Sequence, residues 1–379
     1  YCVKALSEKI LSISNEAGKY FSFSNSDGKK WIIAKDHSRT GLCIYQPSST
    51  KGKLVKLTLP ILKWSNTILS SLLVTECDCI LTPEISDVME GAFECNELTY
   101  SYFLGTPGVH QKTVIQISRN RKILGYCKVT DSNEVYSNFE KEMEILAQLH
   151  KNQYDNIPVG LCVKRIMNNK IGVFVQTTSK TEKSITSHVL NQRHLAFIKK
   201  LCTDTMHPVN FFKTAIYRDL AYLNNHYSSH TTLTNLVSYT IKEIESRHES
   251  FCFNHGDFTP WNTYIDNGKL FVFDWEYAET DYLPMLDVFH FFTQVCHFEK
   301  HMPAEKIVEE YLRLKHGEFD TWISWTGYDS DILYLCYLLS MISRTLQREN
   351  ELTEASRKNI DLWFEIICLI VKRTKAELI

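Results

Sequence analysis

Two stretches of the chain decide its fold, Asn254–Thr263 (NHGDFTPWNT) and Lys269–Glu276 (KLFVFDWE). The first carries Asp257 and, five positions later, Asn262, so that one tight loop can direct a carboxylate and an amide to the same place. The second is an apolar run that predicts a short buried strand with Asp274 at its end.

A turn signal between the two stretches predicts that they pair. Asn267-Gly268 is a strong signal for a two-residue β-hairpin turn. The hairpin would fold the strand that ends near Ile265 back against the strand that leads to Asp274. We therefore expect Asn262 and Asp274 to be brought together.

These side chains have the chemistry that phosphoryl transfer from a nucleotide requires. Such a reaction needs a carboxylate beside the incoming hydroxyl group, and oxygen ligands for the magnesium that neutralises the phosphates. Asp257 fits the first task, and Asn262 with Asp274 fits the second. The alternative is that Asp257 and Asn262 are ordinary turn residues and that His255 is a structural histidine.

The stretch HGDFTPWNTYIDNGKLFVFDWEYAETDYLPMLDVF resembles the aminoglycoside phosphotransferase and choline kinase superfamily of small-molecule kinases. The loop is HGD rather than HRD, the second motif is DWE rather than DFG, and Asp287 fills the position of a later aspartate. The resemblance implies an α+β, two-lobed protein-kinase-like fold with a small, mainly β N-lobe and a large helical C-lobe. It also implies ATP, or GTP as an alternative, with Mg²⁺, Asp257 as the catalytic base and His255 as a brace of the catalytic loop.

Residues upstream have the pattern of a nucleotide clamp. The run Tyr100–Ile117 predicts strand, turn and strand, and its Gly105 and Gly108 would let backbone N–H groups approach the phosphates closely. The next strand bears Lys128, our candidate for holding the phosphates, with Lys112 as the alternative lysine. A plain hairpin turn is the alternative interpretation of the two glycines.

A helix is predicted over Tyr136–His150, because its apolar residues recur at helical spacing. Glu142 matches the E-x-x-x-L-x-x-L pattern of the family, which implies a pair with Lys128; an acidic surface face is the alternative. Gln176 and Thr177 follow a later strand-like run and lead into the linker between the lobes. The adenine ring docks at this linker in kinase-like folds, so both residues are predicted to contact the nucleotide.

Beyond the linker, apolar residues at intervals of three and four predict helices through most of residues 184–375. Glu276, Glu279 and Asp281 form an acidic cluster close in sequence to the proposed metal ligands. The cluster would suit a cationic acceptor. The alternative is that it is a solvated acidic loop without a role in binding. Glu276 is also a candidate ligand for a second magnesium ion.

The first 97 residues precede the resemblance. Strand-length runs at Trp31–Ala34, Leu42–Tyr45 and Leu54–Leu59 predict an additional N-terminal α+β module or an extension of the N-lobe. This module would be available to a protein partner or for self-association. We therefore expect three parts: the module in 1–97, the N-lobe in 98–178 and the C-lobe in 179–379.

Composition argues against several other classes of protein. The 379 residues carry 42 Lys and Arg against 44 Asp and Glu, so the net charge of −2 gives no reason to expect nucleic acid or a membrane surface as a partner. We find no signal peptide and no apolar run that would span a bilayer. Twelve cysteines, scattered apart from Cys77 and Cys79, lack zinc-site spacing and fit buried thiols in a cytoplasmic protein.

Together these patterns predict an ATP-dependent kinase that phosphorylates a hydroxyl group of a small molecule. The acceptor stays open among a sugar or glycan precursor, an amino alcohol and an aminoglycoside, with a protein hydroxyl as a further alternative. A nucleotide-binding pseudokinase or scaffold is the alternative from another class, with a partner docked on the N-terminal module. The filled catalytic positions argue against it.

Overall fold

The computed structural model describes residues 5–14, 18–26, 28–47, 50–62, 74–105, 111–247, 250–349 and 351–373. The chain divides into two compact units. The first is drawn from Tyr1–Thr186 and Thr263–Glu276, and the second from Ser187–Asn262 and Tyr277–Ile379. The segment that carries Asp274 thus belongs to the first unit, although the segments before and after it belong to the second.

Strands dominate the first unit. In chain order the strands of the whole protein are β1 (Leu11–Ser14), β2 (Tyr20–Ser24), β3 (Lys30–Ala34), β4 (Thr75–Leu81), β5 (Thr99–Leu104), β6 (Lys112–Arg119), β7 (Lys122–Thr130), β8 (Gly160–Ile166), β9 (Ile171–Thr177), β10 (His207–Pro208), β11 (Ser250–Asn254), β12 (Thr263–Asp266), β13 (Lys269–Val272) and β14 (Glu279–Tyr282). Among the described residues, β1 to β9 form one antiparallel sheet in the order β1-β4-β2-β3-β5-β6-β7-β9-β8. Because β3 pairs with β5, strands from the first 97 residues continue the sheet that carries Lys128. The division into three parts stays a prediction.

Helices cover both faces of this sheet. In the first unit they are α1 (Leu6–Ile10), α2 (Ser38–Gly41), α3 (Thr50–Leu62), α4 (Pro83–Phe93) and α5 (Asn133–Lys151). On one face, Cys127 and Val129 of β7 join an apolar core with Ile85 of α4. Side chains alternate along a strand, so Lys128 lies on the opposite face, where Glu142 of α5 contacts it.

Two of the strands predicted in the first 97 residues are wrong. Most of Leu42–Tyr45 is a short 3-10 helix, and Leu54–Leu59 lies within α3. In α3, Val55 and Leu59 lie one helical turn apart and are both buried against apolar side chains of the sheet, so the helical period determines the structure. The third prediction, Trp31–Ala34, is confirmed as part of β3.

The predicted hairpin is present as β12 and β13. Asn267 and Gly268 form its turn with φ angles of 48° and 79°, as a two-residue turn of this type requires. Within the first unit, the side chain of Asn156 donates a hydrogen bond to the carbonyl of Leu270 at 3.0 Å and ties β13 down. Only Phe273 separates the end of this strand from Asp274.

The second unit is mainly helical, with a small sheet of β10, β11 and β14. Its α-helices are α6 (Gln192–Asp204), α7 (Ala215–His226), α8 (Thr231–Glu245), α9 (Leu286–Gln294), α10 (Ala304–Leu314), α11 (Asp320–Ile323), α12 (Ser330–Arg348) and α13 (Glu354–Arg373). The predicted helical start near residue 184 is wrong, because Asn191 and His194 form a capping box that begins α6 at Gln192. The predicted α+β class, a mainly β part followed by a helical part, is confirmed. In the described part of the chain, no helix combines the length and the apolar character needed to cross a membrane.

Candidate active site

A buried lysine lies between two carboxylates in the first unit. Nζ of Lys128 is 2.6 Å from Oε2 of Glu142 and 2.5 Å from Oδ1 of Asp274. Lys128 is 4% exposed and Glu142 is fully buried. The pair implied for Lys128 and Glu142 is therefore present, and Asp274 shares the same amine.

The charges of this cluster stabilise one another. Burial lowers the pKa of Lys128, but the charges of Asp274 and Glu142 outweigh burial and raise that pKa above its ordinary value, so the amine stays protonated. The other oxygen of Glu142, Oε1, accepts a hydrogen bond from the backbone N–H of Trp275 at 3.2 Å. Glu142 thus fixes both the lysine and the segment that carries Asp274.

The alternative lysine, Lys112, lies in the same cluster. Its Nζ is 2.7 Å from Oε1 of Glu276 and 4.0 Å from Oδ1 of Asp274. Two ammonium groups and three carboxylates are therefore neighbours in the first unit. Cations that can hold phosphate oxygens and carboxylates that can hold a metal are present together.

Only one of the two predicted clamp glycines is described. Gly105 follows β5 directly, and its N–H donates to the carbonyl of Lys112 at 3.2 Å. A Cβ atom at Gly105 would lie 2.8 Å from that carbonyl oxygen, so the close approach of the two strands requires glycine. Gly108 lies outside the described residues.

Gln176 and Thr177 lie at the end of β9. The side chain of Gln176 is buried, and Gln176 is paired with Tyr126 of β7. The hydroxyl of Thr177 accepts a hydrogen bond from the N–H of Val159 at 2.9 Å. The structure thus places both residues on the strand that neighbours Lys128, and their contact with a nucleotide stays a prediction.

In the second unit, a glycine and a buried aspartate shape the loop that carries Asp257. Gly256 has a φ angle of 78°, and a Cβ atom there would lie 2.2 Å from the carbonyl oxygen of Tyr277. Asp287 accepts hydrogen bonds from the N–H groups of His255, at 2.8 Å, and Gly256, at 3.1 Å. The ring Nδ1 of His255 accepts one from the N–H of Asp257 at 3.2 Å, so the histidine is part of the loop's own bracing.

The carboxylate of Asp257 lies between two donors. Nε2 of His290 is 2.9 Å from Oδ1, and Nδ2 of Asn262 is 2.8 Å from Oδ2. The side chain of Asp257 is 27% exposed, whereas His290 is buried. The loop therefore presents a carboxylate whose orientation is fixed and which solvent can still reach.

Sequence analysis did not single out His290. It lies three positions after Asp287, in a segment whose apolar spacing predicts a helix. Residues three apart on a helix share one face, so this spacing would have placed His290 on the same side of the helix as Asp287. This spacing was the available signal.

The acidic cluster predicted near the metal site has structural roles. Glu276 pairs with Lys112 in the first unit. In the second unit, Asp281 accepts a hydrogen bond from the N–H of Ala215, the first residue of α7, at 3.2 Å. A carboxylate at a helix N-terminus is favourable, so Asp281 stabilises the start of α7.

No protein-family model and no curated protein matches the chain. Among solved structures, it is similar to a thermostable mutant of aminoglycoside phosphotransferase APH(4)-Ia in complex with ADP and hygromycin B, at 12% identity over 76% of this chain and 98% of that one, with a TM-score of 0.48. Amicoumacin kinase hAmiN, in complex with AMP-PNP, Ca²⁺ and Ami, has 12% identity over 77% and 94%, with a TM-score of 0.49. A streptomycin-ATP-APH(2")-IIa ternary complex has 14% identity over 77% and 98%, with a TM-score of 0.44. All three are structures of phosphotransferases or kinases that act on small molecules, as are the members of the family that the sequence resembles.

Proposed function

We propose that the protein is a phosphotransferase that moves the terminal phosphoryl group of ATP, or of GTP, to a hydroxyl group of a small molecule. The contact of Lys128 with both Glu142 and Asp274 is the observation that carries this proposal. A kinase requires a lysine that is held by a glutamate, and an aspartate that binds the metal. The sheet unit supplies these three groups at hydrogen-bonding distance.

The donor chemistry fits Mg²⁺, which takes oxygen ligands and in nucleotide sites is held by one or two carboxylates together with phosphates. The side chain of Asp274 is 24% exposed. The Nδ2 atom of Asn262 is committed to Asp257, which leaves its amide oxygen as the atom for a metal. We assign Asn262 and Asp274 as the ligands. Clusters of three His, Cys, Asp or Glu side chains suited to a metal are absent from the described residues, and a magnesium site of this type does not require one.

When bound, Mg²⁺ would neutralise charge on the phosphate groups. Asp257 orients the hydroxyl group of the acceptor and accepts its proton. Because His290 and Asn262 hold the two oxygens of Asp257, the carboxylate loses little orientational freedom when the acceptor binds. Lys128 positions the phosphates, and Glu142 limits the motion of Lys128.

The remaining contacts with the nucleotide follow the sequence prediction. The backbone at Gly105 and Gly108 would cover the phosphates. Gln176 and Thr177 would contact the purine ring of the nucleotide. These four assignments are part of the proposal and rest on the position of Gly105 beside Lys112 and of β9 beside β7.

The acceptor is a small molecule with a hydroxyl group, and we retain a sugar or glycan precursor, an amino alcohol and an aminoglycoside as classes. One set of experiments tests the proposal. Calorimetric titration with ATP and GTP, with and without magnesium, would be followed by an assay of ADP or GDP release over these acceptors. Magnesium-dependent binding with turnover of one class supports the proposal, whereas binding without turnover of any acceptor favours the scaffold alternative.

A further inference from the structure

A buried arginine of the helical unit has no role in the reaction described above. Arg344 of α12 is 9% exposed. Its Nε donates hydrogen bonds to Oδ2 of Asp219 in α7, at 3.1 Å, and to the hydroxyl of Tyr282 in β14, at 3.0 Å. The guanidinium also lies over the ring of Tyr282, 4.4 Å from its centroid. Two other elements therefore hold Arg344 in one orientation.

The other end of the guanidinium lies against the loop that carries Asp257. A Cβ atom at Gly256 would lie 3.2 Å from Nη1 of Arg344, so the guanidinium reaches the backbone of the residue directly before Asp257. The N–H of Gly256 donates to Asp287 of α9. The backbone at Gly256 is thus bounded by a cation from one helix and a carboxylate from another.

A small cavity lies behind this loop. Its volume is about 10 Å³, and Arg344, Gly256, Asp287 and His290 are among the residues that line it. Nη2 of Arg344 is buried and has no hydrogen-bond partner among the residues that the structure describes. A polar cavity of roughly 10–15 Å³ can hold one water molecule. Nη2 can donate to such a water molecule, and the carboxylate of Asp287 can accept from it.

The cavity also relates Arg344 to the carboxylate of Asp257. His290, in its wall, has its Nε2 2.9 Å from Oδ1 of Asp257. Tyr337 lies in the same wall, and burial raises the pKa of its hydroxyl. Of the charges around Tyr337, that of Asp257 raises this pKa further and that of Arg344 lowers it. Both charges therefore act on one buried hydroxyl group.

We propose that Arg344 is a positioning residue for Asp257. It acts through the backbone of Gly256, and through one ordered water molecule that joins Nη2 to the carboxylate of Asp287. This inference rests on the proposed function, in which Asp257 is the base. Because two elements outside the loop fix the guanidinium, the loop has a rigid support, and displacement of a reacting group by about 1 Å can cost roughly a hundredfold in rate.

Steady-state kinetics of Arg344→Lys test the proposal. Lysine keeps a positive charge for Asp219 but lacks the Nη1 and Nη2 groups that face the loop. We expect kcat to fall about tenfold to a hundredfold, while KM for the nucleotide stays within about twofold of the wild type. Calorimetry should still show one nucleotide bound per chain. A merely structural role would lower the free energy of unfolding and leave kcat of the folded enzyme unchanged.

Gln347→Leu is the matched control. Nε2 of Gln347 donates to Oδ1 of Asp219 at 3.1 Å from the same helix, but Gln347 does not line the cavity. The variant should therefore keep the wild-type kcat. A wild-type kcat in Arg344→Lys, or an equal loss of kcat in Gln347→Leu, would overturn the role of Arg344.

Ser340→Thr keeps the test valid if Arg344→Lys fails to fold. Ser340 is buried in the wall of the cavity, and its hydroxyl donates to the carbonyl of Tyr337 at 2.8 Å. Threonine keeps this hydroxyl and adds a methyl group where the water molecule would lie, with Arg344 left in place. We expect a lower kcat with an unchanged KM for the nucleotide. A wild-type kcat would overturn the water-mediated contact.

Hydrogen exchange at the N–H groups of His255 and Gly256 separates this proposal from the kinase proposal, because it needs no acceptor. Both groups donate to Asp287, so loss of the support should make them exchange faster in Arg344→Lys than in Gln347→Leu. Faster exchange together with no turnover by the wild type would contradict the kinase and retain the support of the loop by Arg344. Unchanged exchange would overturn that support.

Discussion

The two units hold their key carboxylates in different ways. In the sheet unit, Asp274 is held by the charge of Lys128, which a buried glutamate, Glu142, also contacts. In the helical unit, Asp257 accepts hydrogen bonds from His290 and Asn262. The backbone of its loop is fixed by hydrogen bonds to Asp287. The first arrangement depends on balanced charge and the second on backbone geometry, so different substitutions should break them.

Removal of Glu142 should have the largest effect on stability. Glu142→Ala leaves the buried amine of Lys128 with fewer compensating charges, and loss of one partner from a buried ion pair typically costs about 3–5 kcal/mol. Urea unfolding would measure the change. Glu144→Ala, an exposed position of the same helix, is the control and should stay within about 0.5 kcal/mol of the wild type. A loss below about 1 kcal/mol for Glu142→Ala would show that the pair does not hold the sheet unit together.

The helical unit should lose stability in acid through a neutral buried histidine. Burial lowers the pKa of His194 from 6.5 to about 4, and the charge of Arg193 adds to the shift. The unfolded chain takes up the proton near pH 6.5 and the folded chain only near pH 4. This contribution is therefore fully present above pH 6.5 and is lost as the pH falls toward 4, by about 3 kcal/mol in total.

Unfolding of the wild type and of His194→Gln at pH 7 and pH 4.5 would check this prediction. The variant should lose less stability between the two pH values than the wild type does. His301→Asn is the control, because His301 is exposed, and it should keep the wild-type pH dependence. Equal pH dependence in the wild type and His194→Gln would contradict the prediction.

Two glycines with the same φ should respond differently to alanine. Gly256 and Gly268 have φ angles of 78° and 79°, but a Cβ atom at Gly256 would lie 2.2 Å from the carbonyl oxygen of Tyr277, whereas at Gly268 nothing lies within 4 Å. Gly268→Ala should cost about 1–2 kcal/mol, the penalty of the left-handed conformation alone. Gly256→Ala should cost more, and it should reduce turnover because the loop of Asp257 must move. Equal losses of stability would mean that the loop tolerates this displacement.

The hydrogen bond from His290 should affect turnover as well as stability. A hydrogen bond to a charged group contributes about 1.5–3 kcal/mol, so His290→Ala should lower kcat about tenfold to a hundredfold with little change in KM for the nucleotide. His290→Gln keeps a side-chain donor and should recover part of the loss. Steady-state kinetics of both variants would measure the effect. A glutamine variant as slow as the alanine variant would argue against positioning of Asp257 through this bond.

The sequence predicted best the features that depend on neighbours along the chain. The hairpin at Asn267-Gly268 follows from the φ angles that its turn requires. The placement of Lys128 follows from alternation along one strand. Glu142 was identified by its match to the family's E-x-x-x-L-x-x-L pattern, which lies within one helix. Each of these needs only a short window of residues.

Features that depend on distant partners were not predicted. The run Leu54–Leu59 was expected to form a strand, but Val55 and Leu59 are buried together on one face of a helix. The pairing of β3 with β5 joins segments that are far apart in sequence, and no local pattern specifies it.

The central claim is that Asp257 serves the acceptor and Asp274 serves the metal and nucleotide. Parallel measurements of turnover and of magnesium-dependent nucleotide binding on Asp257→Asn and Asp274→Asn test it most directly. We expect Asp257→Asn to lose turnover by a factor of about 10²–10⁴ while nucleotide binding stays nearly intact. Asp274→Asn should lose turnover and also weaken binding in the presence of magnesium. Turnover at the wild-type rate in Asp257→Asn would contradict the proposed mechanism.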